Sequence, residues 1–353
     1  LLNSTKFDTV IGTSYESRFD RMKLSILDQV PRSSETTNEI ALKETADLAL
    51  AAESLGYSRY WIAEHHDLQG LLSPTPEILL AYIGAKTNSI RLGAGAILLP
   101  HYAPYKVAES FNMLSNLFPG RVDLGLGRSP GGSAEASEAL SGNFIERIAS
   151  MDDRIEELMH FIRRDFPSDH RYHSLKAAPV PFEAPAVYML GTSKKSADLA
   201  AKHRLNYVYG HFMNTEDDHH VIGHYRSQRK QGQAFACVSV LCADTTEKAR
   251  ELYRSVLVWQ AFNQTQEPLL AIPTVAETAY LVKQLSEATQ DTMEQQLNEA
   301  IVGDKAYVKK RLDDIAESLQ LDELMVLTHA PELRDRLHSY RLLTEIYPQL
   351  VSL

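Results

Sequence analysis

A chain of 353 residues with 44% hydrophobic and 23% charged residues can bury a core of its own and is neither disordered nor a repeat array. Its formal net charge of -10 works against non-specific attraction to nucleic acid or an anionic membrane, and it has no run of about 18 apolar residues that would span one. Its two cysteines, Cys237 and Cys242, lack metal-ligand spacing; they lie an odd number of positions apart in an expected strand, which excludes a disulfide between them and fits a reducing, cytoplasmic setting.

Residues 1–21 are mixed polar and lack the apolar core of a signal peptide, so they read as a leader or tag ahead of one domain over 22–353. The first strand is expected at Lys23–Val30. Ala41, Leu48, Ala52 and Leu55 then share a helical face, and Gly56 ends that helix. Ser58–His66 reads as the second strand. Thr75-Pro76-Glu77 opens the next helix with a threonine cap and a proline in the first turn. Ile90–Leu99 is the third strand. Pro104 starts a helix on which Val107, Phe111, Leu114 and Phe118 repeat at helical spacing until Pro119-Gly120 stops it, and Arg121–Gly127 is the fourth strand. Strands that alternate with helices in this way are parallel, because each return needs a crossover. Further strands are expected at Ala186–Leu190, Asn206–His211, Ala234–Cys242 and Glu323–Thr328. A doubly wound sheet and a closed barrel both fit the alternation, and a count of eight favours an α/β fold of the (β/α)8 TIM-barrel type. Segments 128–183 and 244–322 are too long for simple crossovers. They read as insertions after strands 4 and 7, on the side where barrel enzymes keep their active sites.

Four stretches carry groups suited to chemistry. WIAEHHD places Glu64, His65, His66 and Asp67 at the end of an apolar strand, where catalytic groups of barrels gather. A metal site is disfavoured, since adjacent histidines on a strand face opposite ways and no His-x-x-x-His is present. The plain alternative is a hydrogen-bonded strand end. In LGLGRSPGG the position of the third glycine of a dinucleotide loop is Pro130, so that fingerprint fails. Arg128 there ends a strand beside a Gly-rich turn and can meet an anion, although a surface arginine is the commoner reading. LGTSKKSADLAA puts Gly191, Thr192, Ser193 and Ser196 at a helix N-terminus, which is either an anion site or ordinary capping. In LGAGAILLPHYAP the small residues Gly93, Ala94, Gly95 and Ala96 allow close approach of a flat ligand or fill a tight barrel interior. His101 either reaches the same mouth or faces water.

In this order and spacing, LDQVP, GYSRYWIAEHHD, IRLGAGAILLP, HYAPYKVAESFNMLSNLFPGRVDLGLGR and LGTSKKSADLAA resemble the bacterial luciferase-like monooxygenase family, over residues 22–340. The resemblance implies a flavin-dependent oxidoreductase on a (β/α)8 barrel, with an insertion between the seventh and eighth strands. It puts Arg128 on the flavin phosphate, with Ser193 and Ser196 at its other side and Gly191 and Thr192 in the same turn. It puts Gly95 and Ala96, joined by a cis peptide, under the isoalloxazine ring. Glu64 and His65 become the carboxylate and catalytic histidine, with His65 a proton carrier near neutral pH whose ring Glu64 orients. His66 is their neighbour and Glu109 a buried carboxylate; by position alone, His66 and His101 are assigned to the substrate pocket. Gly127 and Thr192 replace a cysteine and a glutamate of the light-emitting members, which argues against light emission. The implied reaction uses reduced FMN and O2 to oxidise a small organic substrate. A separate reductase supplies the reduced flavin, since no nicotinamide fingerprint is present. Two alternatives stay open: deazaflavin-dependent hydride transfer, and flavin binding without turnover. The family also implies a homodimer through the helices at 76–87 and 104–118, with Tyr82, Ile83, Phe111 and Leu114 at or beneath the contact.

Overall fold

In the computed structural model, which describes residues 22–213, 218–229, 231–265 and 267–348, the strand segments all run parallel. They are β1 (Lys23–Asp28), β2 (Arg59–Ile62), β3 (Arg91–Leu98), β4 (Val122–Gly127), β5 (Ala186–Gly191), β6 (Asn206–Gly210), β7 (Ala234–Cys242), β8 (Ile301–Gly303) and β9 (Glu323–Leu327). The sheet runs β6-β5-β4-β3-β2-β1-β9-β7, and β6 pairs with β7, so eight strands close into a TIM barrel. The short β8 pairs with the end of β7, outside the ring. The leader expected at 1–21 lies outside the described residues.

The helices are α1 (Asn38–Ser54), α2 (Pro76–Gly84), α3 (Pro104–Leu117), α4 (Ala134–Ser141), α5 (Phe144–Ala149), α6 (Met151–Arg163), α7 (Lys194–Lys202), α8 (Asp218–Gln228), α9 (Thr246–Phe262), α10 (Val275–Leu281), α11 (Glu287–Glu299), α12 (Lys305–Ser318) and α13 (Leu333–Ile346). The expected insertions are α4 to α6 after β4, and α9 to α11 with β8 after β7. Among the described residues no helix is long and apolar enough to cross a membrane.

Alternation along each strand separates two cores. Outward residues such as Ile26, Tyr60, Leu92, Leu124 and Val326 pack under the helices. Inward residues Leu27, Trp61, Tyr188, Val208, Phe235, Cys237, Met325 and Leu327 fill the axis. Cys237 and Cys242 sit in different clusters and are both free, as their odd spacing requires. The glycine-rich β3 is shaped by Trp61. A Cβ on Gly93 would stand 2.3 Å from the indole nitrogen, and one on Gly95 would stand 2.9 Å from the ring. The tight-interior reading thus accounts for both glycines. The Gly95–Ala96 peptide is cis.

Below Trp61 the axis is stopped by charge. Arg59 Nε donates to Glu323 Oε1 at 2.7 Å and its Nη1 to Asp123 Oδ2 at 2.8 Å. Arg91 pairs with Asp123 Oδ1 at 2.5 Å, Trp61 Nε1 donates to Asp123 Oδ2 at 3.0 Å, and Ser25 donates to Glu323. Two cations meet two carboxylates, so the buried group is neutral.

Three expectations are corrected. The strand read as Ser58–His66 ends at Ile62, because beyond it the backbone bonds to loops: His65 N to Ser73 O and His66 N to Gly131 O. The first strand stops at Asp28, whose carboxylate accepts from Val30 N at 2.9 Å and turns Val30 to a φ of 54°. Thr75 precedes α2 but makes no capping bond; Pro76 alone begins that helix.

Candidate active site

The barrel's C-terminal mouth is built from the residues just past each strand. After β2, Glu64 turns back into protein. Its carboxylate accepts from Leu98 N at 3.0 Å, from Tyr102 Oη at 2.8 Å and binds His66 Nε2 at 2.8 Å. It is a staple between the ends of β2 and β3. The expected partner was His65, and the ring that Glu64 orients is His66. Residues 64 and 66 share a side of the extended chain, whereas residue 65 faces the other way.

His66 and His101 are both buried. Their rings meet edge-on at 5.5 Å, His101 stacks on Phe144 at 4.7 Å, and His101 Nε2 bonds Pro130 O at 2.9 Å. The histidines proposed for the substrate pocket therefore pack into its wall. The wall is close: a Cβ on Gly132 would stand 1.6 Å from the His66 carbonyl oxygen. Glu109, expected to be buried, is 30% exposed on α3, with Lys106 3.9 Å away.

His65 takes that other side of the chain. Its Nδ1 is buried with no hydrogen-bond partner. Burial, then the neighbouring His66, pushes its imidazole down from 6.5 to about 4. The histidine expected to titrate near neutrality is uncharged there, because burial penalises the charged ring. His329, past β9, is similar: its Nε2 is buried without a partner, and burial followed by Arg336 pushes its ring down to about 3. Arg336 on α13 pairs with Asp28 at 2.6 Å, and Asp28 also accepts from Tyr60 Oη at 2.5 Å.

Across the mouth, Arg128 follows β4 and reaches the N-terminus of α7, following β5. Its Nη2 donates to Ser193 Oγ at 3.1 Å. Ser193 and Ser196 form a reciprocal capping box. Ser196 is fully buried, its hydroxyl engaged by Ser193 O at 2.6 Å and Tyr207 Oη at 2.9 Å. Of the two serines only Ser193 stands beside Arg128, and Ser196 supports it from below. Gly191, Thr192 and Ser193 are half-buried at the end of β5. Among the described residues Arg128 has no carboxylate partner, so a half-buried guanidinium, a serine hydroxyl and a helix N-terminus converge on a place suited to an anion.

Loops lace over the remaining side. Ser34 N bonds Ile272 O at 2.9 Å, Ile272 N bonds Arg32 O at 2.8 Å and Arg32 N bonds Gly70 O at 2.8 Å. These contacts tie the β1 and β2 loops to the insertion after β7. Trp259 from α9 lies beneath, edge-on to His329 with ring centroids 6.1 Å apart. The sequence reading missed Asp28, Tyr102, Trp259, His329 and Arg336. The one available signal was at His329, a polar residue just past an apolar strand, as in WIAEHHD.

Comparison with known proteins agrees with this geometry. The profile of the family described as luciferase-like monooxygenase matches residues 22–322. A Bacillus subtilis protein of uncharacterised function, YwcH, is 40% identical, covering 92% of this chain and 99% of its own. The N-acetyl-S-alkylcysteine monooxygenase of the same organism is 43% identical over 56% of this chain and 59% of its own. The crystal structure of apo-MsnO8 superposes with a TM-score of 0.81 at 30% identity, over 93% of this chain and 98% of that one. Two more distant structures share the fold alone, each with a TM-score of 0.66. One is the oxygenating constituent of a diketocamphane monooxygenase from Pseudomonas putida in complex with FMN, at 19% identity over 93% and 98% of the two chains. The other is an F420-dependent secondary alcohol dehydrogenase, at 14% identity over 93% and 99%. The chain belongs to the luciferase-like monooxygenase family, a family of flavin-dependent oxidoreductases.

Proposed function

We propose that this chain is the oxygenase component of a two-component monooxygenase: it takes reduced FMN from a separate reductase and uses O2 to oxidise a small organic substrate. The observation that carries the cofactor assignment is the Arg128–Ser193 pair at the N-terminus of α7, a cationic, donor-rich spot without a carboxylate of its own. A flavin phosphate fits that donor set, and Thr192 and Gly191 line the same turn. When bound, the reduced flavin supplies the electrons with which O2 is activated.

The chain's own residues would do the rest. Arg128 and Ser193 bind and orient the phosphate. Ser196 holds Ser193 in place. Glu64, His66, Tyr102 and His101 fix the wall of the mouth. His65, neutral and poorly solvated, is free to make a hydrogen bond at the reacting end. The buried walls keep water from the reaction. The N-acetyl-S-alkylcysteine monooxygenase makes thioethers reasonable members of a first substrate panel.

Calorimetry with two flavins tests the cofactor assignment. Arg128→Ala should weaken FMN binding roughly ten- to a hundredfold, the loss of one charge-assisted contact of about 1.5–3 kcal/mol, and leave riboflavin binding unchanged. Equal losses for both would remove Arg128 from the phosphate. Thermal protection by F420 in place of FMN would move the protein to the hydride-transfer branch.

A further inference from the structure

Apart from the Arg128 cradle, the mouth holds a second pair of polar groups that the protein leaves unsatisfied. The inward positions of β9 are Glu323, which meets Ser25 and Arg59 in the floor, then Met325 and Leu327 of the interior cluster. The same alternation brings His329 to the axis at the mouth. From β2 it runs through Arg59 and Trp61, and past the strand's end Ala63 keeps to the same interior cluster and His65 comes within electrostatic reach of His329. β1 pairs with both strands, so the two imidazoles stand on either side of one strand. Each keeps a buried ring nitrogen with no partner, Nδ1 of His65 and Nε2 of His329. Buried polar atoms are seldom left so in native proteins. Trp259, from the insertion after β7, stands edge-on to the His329 ring. Arg336, the cation felt by His329, is already engaged by Asp28. A setting that holds both rings uncharged suits a neutral acceptor better than a carboxylate.

We propose that His329 is a specificity-determining residue that, with His65, hydrogen-bonds a neutral carbonyl oxygen of the organic substrate beside Trp259. The proposal rests on the monooxygenase reading of the mouth and narrows its substrate to a ketone, aldehyde or amide rather than an acid. Calorimetric titration with cyclohexanone, hexanamide and cyclohexanecarboxylate, each with and without FMN, tests it. The parent protein should bind the ketone or the amide in preference to the acid. His329→Phe should weaken that binding about tenfold, as the loss of a hydrogen bond does. His329→Gln, which keeps an N–H donor, should restore part of it, and FMN affinity should stay at the parent value in both variants. The proposal is overturned if the parent binds neither carbonyl probe or binds the acid as tightly. It is also overturned if His329→Phe keeps the parent's melting temperature and carbonyl affinity, or if it loses riboflavin affinity, which assigns the carbonyl to the flavin ring. A parent that shows the His329 dependence but binds no FMN supports the proposal and overturns the cofactor reading alone.

Discussion

His65 and His329 tie the chemistry of the mouth to the stability of the fold. At pH 7 both rings are neutral in the folded chain and mostly neutral in the unfolded one. Below the ordinary value of 6.5 the unfolded chain takes up protons, while the native rings refuse them until about 4 for His65 and about 3 for His329. Lowered folded-state values on histidines mean that their contribution is complete above 6.5 and is lost as pH falls through the window toward 4. The slope is about 1.4 kcal/mol per pH unit for each ring. His65→Gln and His329→Gln should therefore each remove about one proton from the pH dependence of stability between about pH 6 and pH 4.5. Urea melts across that range measure it. A variant with the parent's slope would mean that its histidine is charged in the native state.

At the scale of elements, the floor of the barrel is the feature on which most strands depend. Arg59 from β2 joins Glu323 of β9 to Asp123 of β4, and all three side chains are buried. Arg59→Met should cost about 3–5 kcal/mol, because it leaves the buried Glu323 without a counter-charge and Asp123 with Arg91 alone. A loss under about 1 kcal/mol in equilibrium unfolding would mean that the carboxylates are protonated or solvated. Such a cluster is hard to read in a sequence. Arg59, Arg91, Asp123 and Glu323 stand at strand starts, where a charge looks like a solvent-facing edge, and only barrel closure brings them together. The helix α3 was legible because Val107, Phe111 and Leu114 repeat at its period. β8 was not, since its three residues are too few to show one. At the mouth, Arg128 and Ser193 were legible as strand and helix ends with polar groups, and the fold brings the two into contact. The pairing of Glu64 with His66 was not, because the contacts that turn Glu64 inward, to Leu98 N and Tyr102 Oη, come from a distant part of the chain.

For the whole molecule, the outer surface carries one apolar strip that a monomer leaves uncovered. Ile78 and Tyr82 on α2, with Met113 and Leu117 on α3, are 64%, 42%, 49% and 55% exposed. Each pair lies four residues apart on its helix, and the two helices are neighbours. Ile83, Phe111 and Leu114, expected at or beneath this surface, are buried under it, and Tyr82 lies on it. We propose that this strip is the homodimer contact. The double variant Met113→Glu, Leu117→Glu should sediment as a monomer at micromolar concentration, because a dimer would have to bury two charges per chain. A dimer that survives both substitutions would place the interface elsewhere.

Within each barrel, the neutral ion cluster around Arg59 and the rings of Trp61, Tyr188 and Phe235 stop the axis from below. With the axis filled from below, ligands are left the opposite end of the barrel, and the laced loops and Trp259 narrow it. A ligand that enters there would cross the same threshold again on leaving. In the proposed reaction the deepest occupant must enter first and leave last, so turnover would follow the traffic at the threshold as much as the chemistry behind it.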